Sequence, residues 1–279
     1  MGSTQKTAGP PAPAPSSSAL PTHGLATKAS TDTGTGTDAG TAVQVPGPPA
    51  GIAPGKLAMY ESFAAVAKTL GNPLRLMLLD LLSQAERSVE ALAIATAASV
   101  GNTSAQLQAL KNAGLVQGRR AGSHVFYRLT GQDIAEVLEA FMTMAQTHNP
   151  AVRQATAAYL GDVDGLRAIT AEQLRADLEA GRVVLLDVRP SAEYAAGHIP
   201  TARNITPEHL GEALPQLVPQ VVEQSTPTEV VAYCRGPYCA YAPQALRALD
   251  ALGVHGKLLP GGIRDWRRFG LDLAGATAT

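Results

Sequence analysis

The apolar positions divide the chain into three stretches. Residues 1–54 are mostly Ala, Pro, Gly, Thr and Ser, with few large apolar side chains and no aromatic. Such a segment buries too little surface to offset the entropy of ordering, so it is predicted to be disordered. From Lys56 onward, apolar residues recur at helical spacing. Met59, Phe63, Val66 and Leu70 share one face of a helix over Leu57–Leu70. Asn72-Pro73 reads as N-cap and first residue of a second helix, whose inner face carries Leu74, Met77, Leu78, Leu81 and Leu82. Ser88 caps a short third helix containing Leu92. Ser99 caps a fourth, which turns Leu107 and Leu110 inward, runs to Asn112 and stops at Gly114. Two short strands follow, Leu115–Arg119 and Val125–Leu129, joined by Arg120-Ala121-Gly122-Ser123. A last helix spans about Gln132 to Gln146, with Ile134, Val137, Leu138, Phe141 and Ala145 on one stripe.

After residues 148–164, a linker with a helix over Ala151–Leu160, the period changes. Thr170 and Gln173 form a capping box, and Gly181 ends that helix. Val183–Leu186 is a continuous apolar run, as a central parallel strand requires. Strand and helix patterns then alternate to Trp266. The predicted organisation is a mainly α winged helix-turn-helix domain over 55–147, followed by an α/β domain with a parallel sheet over 165–279. The α/β site is expected beyond the carboxyl ends of the strands.

Charge adds to the first domain's reading. Net charge is −1 and says nothing about partners, but its distribution does. Between Ala91 and Gln132 there is no Asp or Glu, while Lys111, Arg119, Arg120 and Arg128 are present. A local excess of cations is what a phosphate-binding face requires. Asn102, Thr103, Ser104, Gln106 and Gln108 are placed on or near the outer face of the fourth helix. Short hydrogen-bonding side chains of this kind read base edges or grip phosphates. The stretches LGNPLRLMLLDLL (70–82), NTSAQLQALKNAGLV (102–116) and GSHVFYRL (122–129) resemble the ArsR family of bacterial repressors. That resemblance covers about residues 57–146. It implies a homodimer, joined through its first and last helices, that places the fourth helix in the major groove of an operator. Family members that sense metals do so through Cys near the third helix, or Asp and His on the last. Here no cysteine precedes Cys234, and the last helix carries Asp133, Glu136 and Glu139 with no histidine before His148. These carboxylates read as a solvated face, and neither a metal site nor a cofactor is predicted.

Only two cysteines occur, and both lie in one loop within EVVAYCRGPYCAYAPQALRALDAL (229–252). The pattern is strand, tight loop, helix. A cysteine there faces unpaired amides and the positive end of a helix dipole, which can lower its pKa to roughly 3.5–7.5. Pro237 has no N–H, so residues 235–240 offer five amides. This loop, with DVRPSAEYAAGHIPTARNI (187–205) and LPGGIRDWRRFGLDL (259–273), resembles the rhodanese-type sulfurtransferases over about residues 164–275. The resemblance implies that Cys234 takes sulfur from a sulfane donor as a persulfide and passes it to a thiol acceptor. Arg235, Gly236, Pro237, Tyr238, Cys239 and Ala240 complete the loop. Arg235 is either an attractor of anionic donors or a surface residue. Ala240 stands where phosphatases and arsenate reductases with a similar loop carry an arginine, which argues against oxyanion chemistry of that type. Asp187 and Arg189 are read as an ion pair shaping the site, and His198 as a structural hydrogen-bonding residue. Cys239 is either a resolving thiol or a packed one.

No run of 18 apolar residues and no signal-peptide pattern is present, so a cytoplasmic protein is expected, with no membrane span. Two functions remain open. One is a DNA-binding regulator whose α/β domain senses or transfers sulfane sulfur. The other is a sulfurtransferase with an accessory DNA-binding domain.

Overall fold

In the computed structural model the described residues are 54–222 and 229–275, so the expected tail over 1–54 lies outside them except for Pro54, which opens the first helix. Local signals set most element ends. α1 (Pro54–Leu70) leads to α2 (Pro73–Leu82), where the Asn72 side chain accepts from the Arg75 amide. Ser88 caps α3 (Val89–Thr96) and Ser99 caps α4 (Val100–Asn112), each by accepting from an amide three residues on. The wing is β2 (Val116–Ala121) and β3 (His124–Leu129). The ladder runs through Arg120 and Ala121, so the turn is the two residues Gly122-Ser123 rather than four. A third strand, β1 (Arg87–Ser88), pairs with β3 at Tyr127 and Phe126. Two residues carry no period, so nothing in the sequence marks this strand. Leu78, Leu79, Leu92, Leu107 and Leu110 are at most 1% exposed and form the core beneath these elements. Each contributes about 1.5–3 kcal/mol through burial.

α5 (Asp133–His148) closes this body, and α6 (Pro150–Leu160) follows after Asn149. The linker helix is fastened at both ends. Arg153 Nη1 donates to the Thr147 carbonyl at 2.7 Å, and Arg247 Nη2 donates to the Leu160 carbonyl at 2.7 Å.

The α/β body begins with α7 (Ala171–Glu179), where the predicted capping box is present. Its parallel sheet combines β4 (Val183–Asp187), β5 (Arg203–Asn204), β6 (Glu229–Tyr233) and β7 (Gly256–Leu258) in the order β5-β4-β6-β7. Strand alternation sorts the side chains. Val184, Leu186, Val230, Ala232 and Cys234 face α9 (Leu210–Val222) and α10 (Tyr241–Ala251). Leu185, Val231 and Tyr233 face α7 and α11 (Gly262–Arg268). The short α8 (Ser191–Ala195) follows β4. Residues 52–279 form one compact unit, so the winged helix and the α/β body meet directly.

Candidate sulfur site and nucleic-acid interface

The cysteine loop leaves the carboxyl end of β6 and enters α10, as the sequence predicts. Gly262 holds it from below. A side chain there would lie 2.2 Å from the Cys234 carbonyl oxygen, and its φ of 59° suits glycine. The Ile263 amide donates to that same carbonyl at 3.1 Å. Cys234 and Cys239 are 3% and 8% exposed, both as free thiols. Cys234 Sγ donates to the Cys239 carbonyl at 3.3 Å. The amides of Ala242 and Gly236 reach Cys234, and those of Arg235 and Tyr241 reach Cys239.

Burial, and then the hydrogen bond with Cys239, push the Cys234 thiol up. The same hydrogen bond lowers Cys239 to about 7, helped by the amides and the Arg235 charge. The low-pKa thiolate expected at Cys234 alone is thus a property of the pair. Burial holds Cys234 up while Cys239 is the thiol that is lowered.

Asp187 and Arg189 form a fully buried bidentate pair, Nε to Oδ1 at 2.9 Å and Nη2 to Oδ2 at 2.6 Å. Tyr233 donates its hydroxyl to Asp187 Oδ2 at 2.6 Å, so the pair fixes the end of the strand that carries the nucleophile. His198 stacks on Tyr194 with ring centroids 3.7 Å apart, and its Nδ1 lies 3.0 Å from the Tyr194 carbonyl.

Arg235 is paired and only 15% exposed. It binds the fully buried Glu193 of α8 through Nε at 3.0 Å and Nη2 at 2.6 Å, and lies over the Tyr241 ring. Glu193 also binds Arg87, from β1 of the winged helix. Two cations from two domains therefore share one buried carboxylate. Arg264 of α11 makes a second crossing. Its Nη2 binds Asp80 of α2 and donates to Ser83 Oγ at 2.9 Å. Asp80 and Arg264 line a cavity of about 10 Å³ together with Arg235, Gly236, Pro237, Tyr238 and Cys239. Glu139, read from sequence as part of a solvated face, instead binds Arg268 at 2.9 Å and approaches Arg264 Nη1 at 3.9 Å. None of these crossings was visible in the sequence, because no local period or spacing links residues from separate domains.

On the winged helix, Asn102, Ser104, Gln108 and Lys111 are exposed along α4. Gln106 is half-buried and held, accepting from Arg75 Nε at 2.8 Å and donating to Asn102 Oδ1 at 3.1 Å. Thr103 is fully buried among the core leucines of α4, so it is removed from the set of DNA-reading residues. On the wing, Arg120 is exposed and has no partner among the described residues, whereas Arg119 forms a two-bond pair with Glu86 at 2.7 and 2.6 Å. His124 lies 3.4 Å from Glu90. The segment without acids in sequence is thus not without acids in space, because Glu86 and Glu90 fold back beside it. Among the described residues no group of three or more His, Cys, Asp or Glu side chains is placed to hold a metal, and no helix is long and apolar enough to cross a membrane.

A winged helix-turn-helix joined to an α/β body with a cysteine loop defines a two-part class, and comparison with known proteins gives the same parts. Residues 72–117 match the bacterial regulatory protein, arsR family, and residues 170–269 match the rhodanese-like domain family. The HTH-type transcriptional regulator Rv0324 of Mycobacterium tuberculosis is 42% identical over 224 residues, which is 80% of this chain and 95% of that one. The biofilm growth-associated repressor of Agrobacterium fabrum is 40% identical over 77 residues, 28% of this chain and 66% of that one. Among solved structures, the homodimeric winged helix-turn-helix DNA-binding domain Mb0332 of Mycobacterium bovis is 43% identical. It covers 37% of this chain and 95% of its own, with a TM-score of 0.33. The chain belongs to the family of HTH-type transcriptional regulators in which an ArsR-type winged helix precedes a rhodanese-like domain.

Proposed function

We propose that this regulator binds operator DNA as a homodimer and that sulfur chemistry at Cys234 sets its affinity. The observation that carries this reading is the shared carboxylate. Arg235, the neighbour of Cys234, and Arg87, of the winged helix, both bind Glu193. Arg87 precedes the cap of α3 and pairs with the wing strand at Tyr127, so it belongs to the DNA-binding framework by position. A change in the cysteine loop that moves Arg235 alters a contact the winged helix also uses. In an independent sulfurtransferase with an accessory DNA-binding domain, nothing would require that sharing.

The chemistry is a sulfur transfer. The Cys234 thiolate attacks the outer sulfur of thiosulfate, the S–S bond breaks and sulfite leaves with the electron pair, so Cys234 becomes a persulfide. An acceptor thiol then takes the outer sulfur. Alternatively, the Cys239 thiolate attacks Sγ of Cys234, expelling hydrosulfide and leaving a Cys234–Cys239 disulfide. Either product changes charge and geometry beside Arg235. Thiol chemistry of this kind fits a cytoplasmic protein kept reduced.

Exposed apolar side chains support the dimer. Tyr60 and Phe63 on α1 are 56% and 63% exposed, and Val137 and Met144 on α5 are 61% and 50% exposed. Asn102, Ser104, Gln106, Gln108, Lys111, Arg119 and Arg120 are assigned to DNA. The test is operator affinity of the wild type and Cys234→Ser, each with and without a sulfane donor. A donor-dependent change of roughly 5–150-fold is expected in the wild type only. Equal affinities under all four conditions would leave the enzyme reading in its place.

A further inference from the structure

We infer that Arg264 is the residue that recognises an anionic sulfur donor, and that it does so in competition with Asp80 of the winged helix. Arg235, the cation nearest the nucleophile, already has its Nε and Nη2 bound to Glu193. The other cation at the mouth of the loop is Arg264, whose side chain is 10% exposed. Its Nη2 is committed to Asp80 and Ser83, and its Nη1 lies 3.9 Å from Glu139. Its Nε is buried and has no hydrogen-bond partner among the described residues. That nitrogen lies 3.7 Å from the position a side chain on Gly236 would take, against the cysteine loop. An unpaired buried donor is costly, and a guanidinium edge suits an oxyanion. A side chain on Gly236 would press against Arg264 Cδ at 3.4 Å, so glycine leaves this side of the guanidinium uncrowded.

The cavity at the mouth, about 10 Å³, holds roughly one water molecule and no thiosulfate. An anion reaching Arg264 Nε therefore has to part Arg264 from Asp80, which moves α2 away from the loop. Donor recognition and separation of the two domains become one event, with the DNA-binding domain supplying the competing carboxylate.

This inference rests on the sulfur reading of the loop but not on transfer, so it is tested without chemistry. Thiosulfate binding is measured by titration calorimetry on the full chain carrying Cys234→Ser. Adding Arg264→Gln is expected to weaken binding about tenfold or more. Adding Asp80→Asn instead is expected to tighten it severalfold, because the competitor loses its charge. Thermal melts accompany both. If Arg264→Gln proves unfolded, the Asp80→Asn result decides alone. Thiosulfate binding that is unchanged by Arg264→Gln in a folded protein, weakened by Asp80→Asn, or undetectable even in the Asp80→Asn protein overturns the inference. Arg264-dependent binding together with donor-independent DNA affinity in the wild type would count against the regulatory reading alone.

Discussion

At the cysteine loop, burial raises the Cys234 thiol while Cys239 is lowered to about 7. The lowered member, Cys239, sits at about 7, so a thiolate is populated above that pH and lost as pH falls below it. Alkylation of the wild-type pair by iodoacetamide should rise with pH through about 7. In Cys239→Ser, the midpoint for Cys234 should move downward, because the hydrogen bond and charge of Cys239 that raise it are gone and only burial still holds it up. An unchanged midpoint, read by mass spectrometry of the labelled peptide, would mean that burial and the loop amides set the Cys234 ionisation without Cys239. Asp187 is the other residue with a sharp expectation. Asp187→Asn leaves Arg189 buried without its counter-charge, and breaking such a pair costs about 3–5 kcal/mol. Denaturant unfolding of the α/β body should register that loss.

Among the elements, α4 and the wing were read correctly as an exposed polar helix and a basic hairpin, but their electrostatics depend on neighbours outside them. Glu86 stands just before β1 and neutralises Arg119. In the proposed DNA complex, phosphate oxygens would compete with Glu86 for one guanidinium. Glu86→Gln should strengthen binding to DNA of any sequence. Arg120→Ala should weaken it and reduce the salt slope by about 0.9 for each phosphate that is no longer neutralised. Both follow from binding isotherms at several salt concentrations. A Glu86→Gln protein with weaker DNA binding would mean that the pair holds Arg119 in its binding geometry rather than competing for it. The other revision is Thr103, which is first-turn and polar but turned inward. Helical spacing places Thr103, Leu107 and Leu110 on one face, and all three are buried.

For the whole molecule, two bodies with separate cores are joined by ion pairs. Three carboxylates cross the boundary: Glu193 to Arg87, Asp80 to Arg264 and Glu139 to Arg268. Glu193 lies nearest the chemistry and is wholly buried, so it is the one positioned to transmit a change at Cys234. Arg87→Gln should leave persulfide formation in place while the donor-dependent ratio of DNA affinities falls toward onefold, whatever its basal affinity. Glu139→Gln, at the other edge of the boundary, should retain that shift. Electrophoretic mobility shifts with donor-treated and untreated protein separate these outcomes. Loss of the shift in Glu139→Gln but not in Arg87→Gln would move the coupling away from Glu193.

The sequence by itself determined the two bodies, their order, the caps at Asn72, Ser88, Ser99 and Thr170, the cysteine loop and the Asp187–Arg189 pair. These are local matters: a cap is a bond to an amide three residues on, a helix face is a period, and the loop is one contiguous motif. Only the tertiary structure decided which charges remain free. Arg119 finds Glu86 33 residues away, Arg87 finds Glu193 across 106 residues, and Arg264 finds Asp80 across 184. Such partners are chosen by how the two bodies pack, and a long-range ion pair leaves no spacing in the sequence by which to recognise it.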